Sequence, residues 1–233
     1  MVSEPGGLRA RKKAQTRGAI ADTAIALFLA RGFEPVSVSD IAAAAEVSKP
    51  TLFRYFANKE DLVLHRFADH NGEAARVVRD RQPDVAPMTA LHRHFRAGLD
   101  RFEPVTGLND HPQVVEFHRL VFGTPSLAGR LMQYQLDDEE ALAAALGPGI
   151  GARLQAAQVV AVHRVLARGN WQKIADGRPA REVHPEAVTD ADRAFAQLSR
   201  AAGAADGRPA RLPSGPVGKS LTDPVDLGGR EAV

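Results

Sequence analysis

Between Val47 and Leu62 the chain reads VSKPTLFRYFANKEDL, and its punctuation restricts the local fold to one short helix between two helix starts. Ser48 offers an N-cap oxygen. Pro50 stands in the first turn, where its missing N–H has no helical partner. Asn58, with Asp61 three residues on, opens the next helix. Only about two turns fit between them. On that short helix Leu52 and Phe56 are i and i+4 and share one face, where they can pack on Phe28, Ile41 and Leu62. Lys49, Pro50, Thr51, Phe53, Arg54 and Tyr55 are left for the exposed sides.

The residues before it give the other half of a motif. Ile20, Ala24, Leu27 and Phe28 line one face of a first helix that Gly32 closes. Ser37 to Asp40, SVSD, is a capping-box pattern and starts a short helix with Ile41, Ala42 and Ala45. Glu46-Val47-Ser48 then turns the chain. Short helix, tight turn and second short helix form the helix-turn-helix pattern, whose second helix enters the DNA major groove. Thr51 offers a hydroxyl and a methyl, and Pro50 and Phe53 offer apolar surface suited to a thymine methyl. Tyr55 and Lys59 suit phosphates, Lys59 lying in the first turn of the following helix. The competing reading is a short core helix with incidental polar residues. Arg9, Arg11, Lys12, Lys13 and Arg17 form a basic run without an acid, so residues 1–16 read as a flexible arm that touches phosphates or is simply solvated.

Downstream the pattern stays helical and strand signals are missing, so the fold class is all-α. A fourth helix is expected from Asn58 to about Arg79. A fifth carries Met88, Leu91, Phe95, Leu99 and Phe102, and a sixth follows His111-Pro112. Ser126 reads as the cap of a seventh, on which Asp137 to Glu140, DDEE, reads as a solvated face. The eighth, from about Gly151 to Asp176, is apolar on more than one face, which points to burial in a subunit interface. A ninth is expected from Pro185 to about Ala202. The Gly- and Pro-rich residues 204–233 read as a disordered tail. ADGRPAR occurs twice, at 175–181 and 205–211, with no longer repeat around it, and reads as a coincidence of composition.

Bulk composition narrows the function classes. There is no cysteine, which excludes disulfides and thiolate chemistry. No catalytic elbow or metal-binding pattern appears, and His92 and His94, two apart on a helix, cannot share a metal. Neither an enzyme nor a cofactor is expected. No membrane span and no signal-peptide core are read, so a cytoplasmic location is expected. A net charge of +2 argues against indiscriminate polyanion binding.

The segment RGAIADTAIALFLARGFEPVSVSDIAAAAEVSKPTLFRYFANKEDL, Arg17 to Leu62, closely resembles the DNA-binding domain of TetR-family transcriptional regulators. The resemblance implies a basic arm over 1–16, a helix-turn-helix domain over 17–64 and a helical effector-binding and dimerisation domain over 65–203. It implies a homodimer through the helices near 151–176 and 185–202. It further implies a palindromic double-stranded DNA operator and a repressor released by a small, largely apolar effector. By residue match Ser37, Lys49, Pro50, Thr51, Tyr55 and Lys59 fall where the family touches DNA. Phe53 stands where many members carry Tyr, so only apolar contact is expected from it. LARGNWQKIADG and AVTDADRAFAQL are similar to actinobacterial members assigned to acyl-CoA-like ligands. Phe95, Leu99, Phe102, His118, Phe122 and Trp171 are the expected pocket lining. The rival readings are a helical small-molecule-binding enzyme, or a dimeric scaffold with a vestigial DNA-binding domain.

Overall fold

The computed structural model describes residues 5–68 and 70–205. Among the described residues there are ten α-helices, one 3-10 turn and no strand. In chain order they are α1 (Pro5–Arg31), α2 (Val38–Ala44), α3 (Lys49–Tyr55), α4 (Lys59–Ala68), α5 (Glu73–Asp80) and α6 (Pro87–Asp100). The 3-10 turn (Pro104–Thr106) is followed by α7 (Pro112–Gly123), α8 (Pro125–Leu146), α9 (Ile150–Ala175) and α10 (Ala180–Ala205). No helix among the described residues is long and apolar enough to cross a membrane.

Local chemistry accounts for the first three helix boundaries. Gly32 leaves α1 at φ +84, donating its N–H to the Phe28 carbonyl at 2.8 Å. Both halves of the Ser37–Asp40 capping box are formed. Ser48 Oγ caps α3 by accepting the Thr51 N–H at 3.1 Å.

Several expectations are corrected. The basic stretch expected as a flexible arm is helical from Pro5 and continuous with α1. Residues 8–17 carry neither Gly nor Pro and are mostly good helix formers, so the helix propagates backward through them. The fourth helix ends at Ala68 rather than near Arg79. Gly72 breaks it at φ +68, and its N–H is captured by Asp138 Oδ1 of α8 at 2.7 Å. Asp138 is therefore not on a solvated face, and burial pushes its carboxyl up. Phe102 lies beyond α6 at φ +54. Thr124, not Ser126, stands at the N-cap of α8, with Pro125 in the first turn. The last helix begins five residues before Pro185. Asp110 Oδ2, from the loop before α7, accepts the Ala180 N–H at 2.9 Å and caps α10 from a distance. Residues 204 and 205 belong to α10, and the rest of the expected tail lies outside the described residues.

Two apolar clusters hold these helices. The first joins α1 to α4 through Ile20, Phe28, Ile41, Leu52, Phe56 and Leu62, and takes in Phe117 and Val121 of α7 and Leu127 of α8. The N-terminal unit thus shares its core with the C-terminal helices. The second is built on α6, α9 and α10 around Leu91, Phe95, Leu99, Val159, Ala191 and Phe195. The 3-10 turn locks onto α9. Asn170 Nδ2 donates to the Thr106 carbonyl at 3.0 Å, and a Cβ on Gly107, at φ +72, would collide with the Ala167 carbonyl. Gly107→Ala is expected to cost at least about 2 kcal/mol through left-handed strain and that clash. Urea unfolding followed by circular dichroism measures the loss.

Candidate nucleic-acid interface and effector region

The short helix α3 is anchored on one side only. Leu52 and Phe56 are each 1% exposed, whereas Phe53 is 52% exposed. Lys49, Pro50 and Arg54 are exposed and Thr51 is half-buried, its Oγ1 2.8 Å from Ser48 Oγ. Tyr55 is half-buried against the first core, with the Arg54 guanidinium 5.4 Å from its ring centre. Ser37 is exposed at the start of α2, where its hydroxyl lies 2.6 Å from Asp40 Oδ2. The bonds from the Ser37 hydroxyl and N–H hold the Asp40 carboxyl below its ordinary range. Arg11, Lys12 and Lys13 project from the exposed N-terminal part of α1.

Lys59 differs from expectation. Its Nζ donates to the Phe33 carbonyl at 2.5 Å and the Glu34 carbonyl at 3.3 Å, and sits 4.2 Å from the Phe33 ring centre. The ammonium pins the α1–α2 loop to α4 instead of pointing outward to a phosphate. Its flexible aliphatic stem lets it reach back to the carbonyls of the turn that follows α1.

Sequence reading saw Asp61 only as the partner of an N-cap. In the structure it is 7% exposed. It accepts Arg130 Nε at 2.9 Å and Tyr134 Oη at 3.0 Å, while its own N–H goes to Asn58 Oδ1 at 2.8 Å. This ties the start of α4 to the middle of α8. Its partners are 69 and 73 residues away, so no local spacing could announce them. A second tie, Arg66 to Asp22 at 3.0 Å, joins α4 to α1 on the surface.

The six expected pocket residues fall into separate groups of contacts. Phe95 stacks on His163 at 5.2 Å within the second core, where Leu99 is fully buried. Phe102 meets the His184 ring at 5.6 Å. His118, Phe122 and Trp171 do come together, with ring separations of 5.8 Å and 5.0 Å, and Arg168 lies over Phe122 and Trp171. Only His118 reaches the cavity between α4, the 3-10 turn and α7, which has a volume of about 140 Å³. Phe67, Val105, Val114 and Phe117 give it apolar walls, and Arg66 and His70 are its other polar groups. A larger groove of about 670 Å³ between α5 and α6 is open and lined largely by charged side chains, Glu73, Arg76 and Arg93 among them. His92 pairs with Asp192 at 2.7 Å and His94 with Glu73 at 3.0 Å, so they diverge as their spacing requires.

The family pattern of bacterial regulatory proteins of the tetR family matches residues 20–65. The HTH-type transcriptional regulator TcmR of Streptomyces glaucescens is 32% identical over 180 residues, covering 73% of this chain and 79% of that protein. The chain belongs to the TetR family. The putative mycofactocin biosynthesis transcriptional regulator MftR of Mycobacterium tuberculosis is 47% identical over 60 residues, 26% of this chain and 30% of its own. A TetR-family regulator from Streptomyces coelicolor shares the fold at a TM-score of 0.51, with 21% identity over 84% of this chain and 99% of that one.

This TetR-family protein is thus a DNA-binding transcriptional regulator, with an N-terminal helix-turn-helix and a helical C-terminal domain. In it, His118 and His163 are neutral: burial lowers each to about 4. Unfolding releases both to the ordinary value of 6.5, so the unfolded state binds more protons in between. Their contribution is fully present above 6.5 and is lost as pH falls towards 4. Urea midpoints measured across that window are expected to drop with acidification, and His163→Phe to flatten the slope. Asp61→Ala is expected to cost about 1–3 kcal/mol, because Arg130 and Tyr134 lose their shared acceptor. A double-mutant cycle with Tyr134→Phe should give non-additive values.

Proposed function

We propose that the regulator is a repressor that binds a palindromic operator as a homodimer and is released by a small, largely apolar effector held in the C-terminal domain. The observation that carries this reading is the one-sided anchoring of α3, with Leu52 and Phe56 buried and Lys49, Pro50 and Phe53 exposed. A helix buried on one face and bare on the other is built for insertion into a groove. Pro50, Thr51 and Phe53 meet base edges and thymine methyls, while Ser37, Lys49 and Tyr55 set the helix against the backbone. The basic N-terminal part of α1 adds phosphate contacts. Lys59 contributes through the α1–α2 loop that it pins. No catalytic role is proposed, and the regulator works in the cytoplasm, where its operator is.

Dimerisation is assigned to α9, with α10 beside it. Ile150, Leu154 and Val165 are 72%, 56% and 62% exposed on α9, and Met132 and Leu136 are exposed on neighbouring α8. Large apolar side chains so exposed on one long helix support burial against a second copy. The effector acts by favouring a dimer whose recognition helices are wrongly spaced, and it can shift operator affinity only by its own difference in affinity for the two forms. The Asp61–Arg130–Tyr134 cluster is the contact through which α8 turns α4.

Selection of bound DNA from a random library tests the proposal. Enrichment of a palindrome with half-sites about 34–36 Å apart is the expected result. A folded dimer that enriches nothing, with ligand removed, would sink it. Lys49→Ala is expected to weaken binding to all sequences alike and to reduce the salt slope by about one. Phe53→Ala is expected to relax base preference instead.

A further inference from the structure

The cavity between α4, the 3-10 turn and α7 has chemistry that narrows its ligand. His118 is 4% exposed, and its Nδ1 is buried without a hydrogen-bond partner. The imidazole itself lines the cavity, so a ligand that offers its accessible edge a partner gains from the contact. The imidazole is surrounded by rings: Phe67, Phe117 and Phe122 all lie within 6.1 Å, centre to centre. Phe67 and Phe117 are themselves near-parallel at 5.7 Å. At the open side stands Arg66, whose guanidinium lies 5.9 Å from the Phe117 ring centre and whose side chain is 54% exposed. Among the described residues no carboxylate lines the cavity.

Resting on the effector reading above, we infer that this cavity binds a single-ring phenolic acid. Its hydroxyl bonds to the cavity-facing edge of the His118 imidazole and its carboxylate meets Arg66 at the exposed end. The volume of about 140 Å³ matches one aromatic ring, since an apolar cavity of about 150 Å³ holds a benzene molecule. The aromatic walls take the ring face and edge. A phenolic hydroxyl both donates and accepts, so it satisfies either tautomer of a neutral imidazole. With the hydroxyl at buried His118 and the carboxylate at exposed Arg66, a para arrangement sets the two groups furthest apart on one ring. The cavity has no room for a whole acyl-CoA, the ligand class that the C-terminal resemblance implies.

The same geometry gives the ligand a handle on DNA binding. Arg66 is already paired with Asp22 of α1 at 3.0 Å. That pair is exposed and correspondingly weak. A carboxylate arriving at Arg66 competes with Asp22 and loosens α4 from α1, within the DNA-binding unit.

Calorimetry on the full chain with 4-hydroxybenzoate, benzoate, phenol and palmitoyl-CoA tests the assignment. 4-Hydroxybenzoate is expected to bind about tenfold more tightly than benzoate, the worth of one buried hydrogen bond. His118→Leu is expected to erase that preference. Arg66→Gln, on the surface and harmless to the core, should bring 4-hydroxybenzoate down to the affinity of phenol. Equal binding of benzoate and 4-hydroxybenzoate to the unaltered protein overturns the proposal. So does saturation by palmitoyl-CoA with no binding of the phenolic acid, or an Arg66→Gln variant that still separates 4-hydroxybenzoate from phenol. These readouts need no DNA. A phenolic acid that binds as described but leaves the affinity for the selected operator unchanged overturns the effector reading and leaves the site standing.

Discussion

The carboxylate of Asp61 is the point on which both halves of the molecule depend. It begins α4, it is almost wholly buried, and it is satisfied by a guanidinium and a phenol from α8. A buried carboxylate without those partners would cost several kcal/mol. Such a cluster therefore has a strong preference for one arrangement of α4 against α8. Because α4 also carries Leu62, Val63 and Leu64 into the first core, any shift of α8 is transmitted to the unit that presents α3. The coupling is physical contact through one residue with two distant partners, and it needs no long pathway.

The division of the core supports the same conclusion. Phe117, Val121 and Leu127 belong to the C-terminal helices in sequence, yet they pack with the N-terminal unit. The second core, on α6, α9 and α10, is a separate body of apolar contacts. A seam thus runs through the C-terminal domain itself, between α7 with the start of α8 on one side and α6, α9 and α10 on the other. The 140 Å³ cavity opens beside α7, on the DNA-facing side of that seam. A ligand there sits next to α4 and Arg66, close to the elements that set the position of α3. Across the seam, the lock of Asn170 and Gly107 holds the 3-10 turn to α9, so one wall of the cavity is fixed.

How far the chain could be read without coordinates depends on the range of the interaction involved. Ser37 with Asp40, Ser48 with Thr51 and Asn58 with Asp61 act over three residues, so the helix-turn-helix and the exposed set on α3 were legible from spacing alone. Gly32 and the face bearing Leu52 and Phe56 were legible for the same reason. Lys59 was legible as a first-turn cation but not as a clamp, because its acceptors lie 25 and 26 residues back. Which of the expected pocket residues face a cavity was not legible, because an apolar helical stripe looks the same whether it faces a cavity or a neighbouring helix. Phe95 and Leu99 pack into the second core, and the residues that do line the cavity with His118, such as Phe67, Val105 and Phe117, gave no signal of their own.

Local sequence chemistry by itself determined the all-helical class, the caps and lengths of α2 and α3, and the side chains that α3 leaves exposed, since each rests on contacts within a turn or two. Tertiary structure alone decided where α10 begins, since Asp110 caps it from 70 residues away. It also decided that Asp138 is drawn inward by Gly72, and that Asp61 is a hub rather than a cap. The reason is common to all three. A backbone N–H or a carboxylate must find a partner once water is excluded, and which partner it finds is set by the packing of helices that are remote in the chain.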